Sequence, residues 1–348
     1  MFSILRPYIF NLDPEVAHDL AIKSLKLNLI PKSFFSLANE NLLNIELFGM
    51  KFENPIGLAA GFDKSAEVYN ALFNLGFGFV EVGTITPKKQ LGNPKPRIFR
   101  LEKDLALINR LGFNNEGLEI VKNRISHNSP KGILGVNVGP NKDTKDKKSD
   151  FIKCIISLHK ISNYITINIS SPNTEGLRDF HKEEFFSDLL KDLENIKKKE
   201  KINKPILIKI SPDISENSIE PLINLILKYK IDGLIISNST DKNRENLVDT
   251  KKNEIGGLSG KPLENLSNKI IKDFYKALKG RIPIIGVGGV DSSESALEKI
   301  SAGASAVQLY TGMVYKGPGI VKEIKQGMIS FLQNEKINNI KDIIGSKS

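Results

Sequence analysis

The sequence has one cysteine, no tryptophan and no long apolar run. The single cysteine, Cys154, excludes an intrachain disulfide framework and a zinc site built from several thiolates. It lies in a segment with the spacing of an amphipathic helix, so we expect its thiol to pack in the core. The four histidines show no ligand spacing, so no metal site is predicted. No apolar run reaches the roughly 18 residues of a membrane span, and no signal peptide is expected.

The chain is basic, with a formal net charge of +10 over 348 residues. Such a charge suits nucleic acid or an anionic membrane surface as a partner. No basic stripe interleaved with aromatic residues is present, so no nucleic acid is expected. Attraction to anionic lipid stays open.

Eight short apolar runs recur along the chain, each with the composition of a buried strand. They are nearly continuous in hydrophobicity, which is typical of parallel strands covered on both faces. Amphipathic helical stretches separate them, so right-handed βαβ crossovers are predicted. Eight such units predict an α/β fold of the (β/α)8 TIM barrel type. A doubly wound open sheet is the alternative, although its GxGxxG turn is missing. The runs are residues 54–61, 77–86, 132–139, 164–170, 205–211, 232–240, 283–289 and 305–312.

Three further segments do not belong to a bare barrel. Residues 44–54 predict a hairpin that plugs the barrel bottom, and residues 96–117 predict a hairpin over its top face. Residues 1–43 predict two short amphipathic helices, broken near Asn11–Pro14 and at Pro31. This segment is either a helical cap packed on the barrel or a membrane-facing module with lysines and Arg6 near head groups. We therefore divide the chain into a helical module, residues 1–43, and a barrel, residues 44–340.

Polar and glycine residues follow every predicted strand, where a barrel of this type builds its active site. Lys64 and Lys209 would share one cavity there, and two inward ammonium groups need anions to neutralise them. Residues 286–289, GVGG, and 310–312, YTG, occupy the usual phosphate position of the fold. Four asparagines offer both donors and acceptors to a flat heterocycle: Asn109, Asn168, Asn173 and Asn238. No carboxylate pair and no Ser–His–Asp order accompanies them, which argues against glycosidase and acyl-transfer chemistry.

Several motifs together identify a family resemblance over about residues 5 to 330. They read NPIGLAAGFDK, GFVEVGTITP, GNPKPRIFRL, LINRLGFNN, INISSPNTEGLR, IGGLSGKPL and PIIGVGGVDS with LYTGMVYKGP. The sequence resembles dihydroorotate dehydrogenase, specifically the quinone-linked, membrane-associated class. This resemblance implies a barrel that binds FMN, oxidises dihydroorotate to orotate in pyrimidine synthesis and passes electrons to a membrane quinone.

The resemblance also implies roles for individual residues, carried over by motif. Ser171 matches the catalytic base of this class. FMN would contact Ala59, Ala60, Gly61, Thr84, Asn137, Asn168, Lys209, Ser237, Gly260, Gly289, Tyr310 and Thr311. Dihydroorotate would contact Lys64, Asn109, Arg110, Leu111, Gly112, Phe113, Asn168, Asn173, Asn238 and Ser239. Serine is a weak base, so a relay through Thr174 or water is expected to assist Ser171.

The resemblance further implies a peripheral membrane protein on the cytoplasmic side of the cell membrane. The quinone would enter through residues 1–43, and a monomer is expected because relatives of this class are often monomeric. Two alternative functions stay open at this stage. One is another FMN-dependent barrel oxidoreductase acting on a different pyrimidine, and the other is a non-catalytic peripheral membrane barrel.

Overall fold

Thirteen strands and eleven helices form within residues 2–27, 35, 37–38 and 40–348, which are those that this computed structural model describes. The strands are β1 (Ile45–Leu47), β2 (Met50–Phe52), β3 (Ile56–Leu58), β4 (Phe79–Ile85), β5 (Ile98–Leu101), β6 (Ala106–Asn109), β7 (Ile133–Val138), β8 (Tyr164–Asn168), β9 (Ile206–Ile210), β10 (Gly233–Ile236), β11 (Gly257–Gly260), β12 (Ile284–Val287) and β13 (Ala306–Leu309). The helices are α1 (Phe2–Phe10), α2 (Pro14–Lys26), α3 (Tyr69–Asn74), α4 (Leu118–His127), α5 (Lys147–Leu158), α6 (Glu183–Lys199), α7 (Ile219–Lys228), α8 (Glu264–Leu278), α9 (Ser293–Ser301), α10 (Thr311–Lys316) and α11 (Ile320–Asn334).

Eight of these strands form a closed parallel barrel. Its order is β3, β4, β7, β8, β9, β10, β12 and β13, with β13 pairing back to β3. Each barrel strand lies in one of the eight predicted runs, and closure excludes the open sheet. Every residue of β4 and β8 is buried, because side chains fill the barrel inside and helices cover it outside. The prediction of a (β/α)8 barrel is confirmed, and Cys154 on α5 is fully buried as expected.

The predicted hairpin at the barrel bottom is confirmed. Strands β1 and β2 pair antiparallel, with Ile45 opposite Phe52. The ring of Phe52 meets the ring of Phe79 edge-on at 5.3 Å between centroids. Phe48 lies against Gly233 at the start of β10, where a Cβ would stand 2.6 Å from the Phe48 ring. Aromatic side chains therefore close the barrel at the end opposite the predicted site.

A three-stranded antiparallel sheet covers part of the top face. Strands β5 and β6 form the predicted hairpin, and β11 adds to the other edge of β6. Strand β11 was not predicted, because its glycine-rich sequence has little intrinsic strand preference and depends on pairing with β6. Gly256, just before it, has φ +141°, and a Cβ there would lie 2.4 Å from the carbonyl oxygen of Asn109. This close approach requires glycine.

The N-terminal helices α1 and α2 pack against this top sheet. The predicted break near Asn11–Pro14 is confirmed, since Asp13 caps α2 by accepting hydrogen bonds from the amides of Glu15 and Val16. Glu15 pairs with Arg97 at 2.9 Å, just before β5. Arg100 on β5 donates to the carbonyl oxygens of Phe10 and Leu12. The break predicted at Pro31 lies outside the described residues. Among the described helices, none combines the length and apolarity of a bilayer span.

Candidate active site

A cavity of about 280 Å³ opens at the C-terminal mouth of the barrel. Seven barrel strands, all except β7, contribute side chains or backbone from their C-terminal ends. The top sheet supplies the remaining wall. Twenty predicted site residues line this cavity: Ala59, Ala60, Gly61, Lys64, Thr84, Asn109, Leu111, Gly112, Phe113, Asn168, Ser171, Asn173, Lys209, Ser237, Asn238, Ser239, Gly260, Gly289, Tyr310 and Thr311.

Two lysines face this cavity without an ion-pair partner among the described residues. Lys209 is only 5% exposed, and burial lowers its pKa. Burial also lowers the pKa of Lys64, from 10.5 to about 8. Within the described part of the chain, neither ammonium group forms an ion pair or a hydrogen bond. Ammonium groups in such a setting are stabilised by an anionic ligand, because desolvation without compensation is costly.

Side-chain amides form a connected array beside the lysines. Asn168 donates to the hydroxyl of Thr84 at 3.1 Å and accepts from Asn238 at 3.3 Å. Asn238 also donates to the Ser170 hydroxyl at 2.9 Å. Across the cavity, Asn173 donates to the carbonyl oxygen of Asn109 at 3.1 Å. The array fixes these amides in place and leaves their remaining donors and acceptors for a ligand that has both.

Ser171 stands on the loop after β8 and is 5% exposed. Its hydroxyl oxygen accepts a hydrogen bond from the backbone N–H of Asn173 at 3.2 Å. The hydroxyl donates to no group in the described ranges, so its proton is available to a ligand. Thr174 is buried nearby but makes no hydrogen bond to Ser171 among the described contacts. The relay through Thr174 therefore stays a prediction.

The far end of the cavity is a glycine-lined backbone turn after β12. Gly288 and Gly289 have φ of +115° and +79°, a region that disfavours side chains. A Cβ on Gly289 would stand 2.4 Å from Cβ of Glu264, so only glycine fits. Thr311, from the next strand end, exchanges a hydrogen bond with Ser259 at 2.9 Å. Backbone can approach an anion closely at such a turn.

Some lining residues were missed by sequence reasoning, and Gln308 is the most informative of them. Its Oε1 atom is buried and has no hydrogen-bond partner among the described residues. The signal was present, because Gln308 lies two residues before Tyr310 and strand side chains alternate between faces. Other missed lining residues include Arg6, Ser259 and Lys261. Arg6, from α1, donates to the carbonyl oxygen of Tyr315 at 3.4 Å.

Two predicted site residues do not line the cavity. Arg110 stacks over Phe99 and pairs with Glu254 at 2.8 Å, so its guanidinium is already occupied outside the cavity. Asn137 is fully buried on β7 beneath the cavity floor. Its amide accepts from Thr84 at 2.7 Å and donates to Glu81 at 2.8 Å. Their assignments as substrate and cofactor contacts stay predictions.

A second cavity, of about 350 Å³, lies between the N-terminal helices and the barrel. Apolar side chains dominate its walls, and Tyr310 lines both cavities. Its polar exceptions include His18 on α2 and Arg100 on β5. Burial lowers the pKa of His18 to about 4, so its imidazole is neutral near pH 7. This cavity suits an apolar ligand next to the mouth of the barrel.

Fold and site together define a (β/α)8-barrel protein whose mouth combines unpaired lysines, an amide array and a glycine-lined turn. The profile of one family, dihydroorotate dehydrogenase, matches residues 42–332. Because this span exceeds half of the chain, the chain belongs to the dihydroorotate dehydrogenase family.

Individual relatives agree with this assignment. A Rhodopseudomonas palustris (strain BisA53) protein named dihydroorotate dehydrogenase (quinone) is 44% identical over 347 residues, covering 98% of this chain and 94% of the relative. A Bartonella henselae protein of the same name is 46% identical over 341 residues, covering 97% and 93%. Among solved structures, the Eimeria tenella DHODH in complex with ferulenol superposes with a TM-score of 0.90 at 38% identity, covering 96% of each chain.

Proposed function

We propose that this chain oxidises dihydroorotate to orotate in pyrimidine synthesis, with FMN as the hydride acceptor and a membrane quinone as the final oxidant. One observation carries the proposal. A single cavity brings together two lysines that have no ion-pair partner in the described ranges, an amide array and the Ser171 hydroxyl. An anionic pyrimidine and a cofactor that gains negative charge on reduction would suit this combination.

FMN is the proposed cofactor, and three features of the cavity fit it. The turn at Gly288 and Gly289 leaves backbone accessible to a phosphate, Gln308 offers an unpartnered acceptor, and Lys209 offers a buried positive charge. Bound FMN would supply an acceptor for the hydride that leaves C6 of dihydroorotate. The proposed contacts are Ala59, Ala60, Gly61, Thr84, Asn137, Asn168, Lys209, Ser237, Gly260, Gly289, Tyr310 and Thr311.

Substrate binding is proposed to depend on charge and on amide geometry. Lys64 would hold the carboxylate, and the asparagines would hold the ring carbonyl and N–H groups, so that the substrate is oriented before reaction. Arg110 would need to leave Glu254 to reach the substrate through its side chain, so we propose a backbone contact for it. The proposed contacts are Lys64, Asn109, Arg110, Leu111, Gly112, Phe113, Asn168, Asn173, Asn238 and Ser239.

Ser171 is the proposed base that removes the proton from C5. A serine hydroxyl is weakly basic and must pass its own proton on. The backbone N–H of Asn173 already donates a hydrogen bond to Ser171 Oγ, and this bond would stabilise negative charge on that oxygen. We propose that water or Thr174, which is buried three residues further along the same loop, receives the proton.

The second cavity is the proposed quinone site, and residues 1–43 are the proposed membrane module. Support comes from the outer faces of α1 and α2, where large apolar side chains are unusually exposed: Ile4 is 72% and Tyr8 73% exposed. Such a surface beside basic residues suits peripheral binding to an anionic bilayer. We propose binding at the cytoplasmic side of the cell membrane, as a monomer, with residues 44–340 forming the FMN-binding barrel.

The test is anaerobic mixing of purified protein with dihydroorotate while flavin absorbance is followed. A yellow protein that bleaches on addition is the expected result. Dihydrouracil, which lacks the carboxylate, is the matched control and should leave the absorbance unchanged. A colourless protein would refute the proposal, and bleaching by dihydrouracil but not by dihydroorotate would point to a different pyrimidine.

A further inference from the structure

The motif that carries Ser171 ends in a charged residue to which the proposed chemistry gives no role. This residue is Arg178, the last of the stretch INISSPNTEGLR. It begins a single turn of 3-10 helix, Arg178–His181, after the loop that follows β8. Arg178 lies outside the wall of the cavity, and its side chain is 24% exposed. Its guanidinium contacts the loops that follow β8, β9 and β10.

Two of these contacts are to backbone carbonyl oxygens beside the proposed site residues. Nε of Arg178 donates to the carbonyl oxygen of Ser170 at 3.2 Å. Nη2 donates to the carbonyl oxygen of Ser239 at 3.2 Å. The carbonyl of Ser170 belongs to the peptide bond that joins it to Ser171, and both serines are buried. Arg178 therefore holds the peptide directly before the proposed base.

Two carboxylates hold the guanidinium in this orientation. Nη2 of Arg178 pairs with Asp213 at 3.0 Å, and Nη1 pairs with Asp241 at 3.1 Å. The Asp213 side chain is only 5% exposed, and its second oxygen accepts a hydrogen bond from the Thr240 hydroxyl. Because arginine carries its donors in a rigid planar fork, one side chain can serve carboxylates and carbonyl oxygens of three loops at once.

His181 attaches the backbone of Arg178 to the barrel. The backbone N–H of Ser211, directly after β9, donates to Nε2 of His181 at 3.3 Å. A backbone N–H only donates, so Nε2 is the acceptor and the imidazole proton lies on Nδ1. Nδ1 then donates to the carbonyl oxygen of Arg178 at 3.1 Å. Burial lowers the pKa of His181 to about 4, so the ring stays neutral near pH 7. Arg178 is thus held through its backbone as well as its side chain.

The other hydrogen bonds of Ser170 leave the orientation of this peptide open. The carbonyl oxygen of the Asn168 side chain accepts from the N–H of Ser170 at 3.3 Å and from its hydroxyl at 3.0 Å. Asn238 donates to the same hydroxyl at 2.9 Å. These bonds fix the N–H and the side chain of Ser170, whereas the peptide that leads to Ser171 can still rotate about the bond between Cα and the carbonyl carbon. In the described ranges, the carbonyl oxygen at the far side of that bond has Arg178 as its donor.

On its other side, Ser171 is restricted by proline. Pro172 follows it directly, and a residue before proline is confined to extended backbone. The backbone of Ser170 and Ser171 makes no hydrogen bond to the backbone of a neighbouring strand in the part of the chain that the structure describes. The position of the Ser171 hydroxyl therefore depends on the proline after it and on the peptide that Arg178 holds before it.

The loop after β10 has backbone anchors of its own. The N–H of Asn238 donates to the carbonyl oxygen of Ile210 at 3.1 Å. Thr240 and Leu258 exchange two backbone hydrogen bonds, at 3.0 and 2.6 Å. Loss of the guanidinium should therefore disturb the loop of Ser171 more than this loop, although it contacts both.

We propose that Arg178 is a positioning residue for the reaction, which holds the peptide between Ser170 and Ser171 so that the Ser171 hydroxyl faces the cavity. The inference rests on the proposed function, since it takes Ser171 as the base. Arg178 acts through Ser171 and touches neither substrate nor cofactor. Its loss should therefore slow proton removal while leaving the affinity for the ligands in place.

The experiment uses Arg178→Met in the full, FMN-loaded chain, because methionine keeps much of the apolar stem and has no donor. Flavin reduction at saturating dihydroorotate is followed by anaerobic stopped flow. It should be about a hundredfold slower than in wild type, since a small misplacement of a reacting group has an effect of this size. The dissociation constant of orotate, titrated by flavin absorbance, should stay within threefold of wild type.

The same substitution in a Ser171→Ala background separates positioning from general damage. If Arg178 acts through the Ser171 hydroxyl, its loss should slow flavin reduction by no more than threefold once that hydroxyl is absent. Arg281→Met is the matched control. Arg281 also donates to a backbone carbonyl through Nε, to Leu278 at 2.9 Å, but it precedes β12 at the opposite end of the barrel. This variant should reduce flavin within twofold of the wild-type rate.

If Arg178→Met does not fold, Arg178→Lys provides the test. Lysine keeps a positive charge near Asp213 but lacks the planar fork that reaches two carbonyl oxygens, so flavin reduction should be about tenfold slower. A wild-type rate in the variant that folds would overturn the inference. It would also be overturned by an equal slowing in the Ser171→Ala background, or by a loss of orotate affinity as large as the loss of rate.

These outcomes differ from a failure of the proposed function. Wild-type protein that bleaches with dihydroorotate, together with a wild-type rate in Arg178→Met, refutes only the role of Arg178. A near-normal rate in Ser171→Ala refutes the assignment of the base and this inference with it. Wild-type protein that binds no flavin, or whose flavin dihydroorotate does not reduce, refutes the proposed function itself.

Discussion

The charge on Lys64 makes ligand binding depend on pH in a direction that can be worked out. Burial lowers the pKa of Lys64 from 10.5 to about 8. Below pH 8 the free protein holds the ammonium form, which binds a carboxylate, and above pH 8 this form is lost. At pH 9, about one Lys64 in eleven is charged, so the apparent dissociation constant of orotate should rise about tenfold relative to pH 7.

Other charged groups around Lys64 set the useful pH range. Glu15, Asp19 and Asp63 favour its ammonium form, and Arg97 opposes it. Burial raises the pKa of Asp63 to about 6, so this carboxyl group titrates mainly below pH 7. Between pH 7 and pH 9, the change in charge at this end of the cavity therefore belongs mainly to Lys64.

The assay is titration of oxidised, flavin-loaded protein with orotate at half-unit pH steps, at constant ionic strength. The Lys64→Met variant is the control. It should bind orotate more weakly at pH 7 and show no rise between pH 7 and pH 9, because it has no group to titrate. A wild-type dissociation constant that stays constant across this range would refute the assignment of Lys64 to the carboxylate.

Three further predictions address the base, the second cavity and a buried lysine. Ser171→Ala should slow flavin reduction by dihydroorotate by about a thousandfold or more while FMN stays bound, and near-normal reduction in stopped flow would contradict its role as base. Ala21→Phe should fill the apolar cavity and abolish turnover with quinone while flavin reduction by dihydroorotate is retained. Val16→Phe, on the exposed face of α2, is the control and should retain both reactions. Equal turnover with quinone in the two variants would count against the quinone site. Burial lowers the pKa of Lys299 from 10.5 to about 7. Between these two pH values, Lys299 is mostly uncharged in the folded chain and mostly protonated in the unfolded chain. Relative to Lys299→Met, the free energy of unfolding of wild type should therefore rise by about 4 kcal/mol from pH 7 to pH 10.5, and parallel pH profiles in urea unfolding would contradict this.

The barrel could be predicted from the sequence because its signals are local. Each buried strand carries its own run of apolar residues, and each run is bounded by polar or glycine residues at the C-terminal end. The start of α2 is likewise predicted by a local signal, because Asp13 caps the helix and Pro14 is its first residue. Strand β11 could not be predicted in this way. Its glycines give it little strand preference of their own, and it forms by pairing with β6, which Gly256 and Gly257 allow to approach closely.

The motif around Arg110 predicts correctly that this segment lies at the cavity, but it does not predict where the Arg110 side chain points. The motif places residues 109–113 together at the cavity, and four of the five line it. Arg110 follows directly after β6, and side chains alternate between faces along an extended segment. Since Asn109 faces the cavity, alternation already favours an outward Arg110, where Phe99 and Glu254 meet it.

Glu81 was outside the reach of sequence reasoning for a physical reason. Glu81 lies on β4 with no exposed surface, and its carboxylate accepts hydrogen bonds from four side chains of β7, β8 and β13, between 56 and 227 residues away along the chain. The four donors are Asn137, Tyr164, Thr166 and Gln308. In sequence, an isolated acidic residue within an apolar run weakens a strand prediction and carries no sign of its partners. Apolar burial is non-directional, so composition alone predicts much of it. Satisfying a buried carboxylate requires particular donors at particular angles, and only the closed barrel brings those donors together.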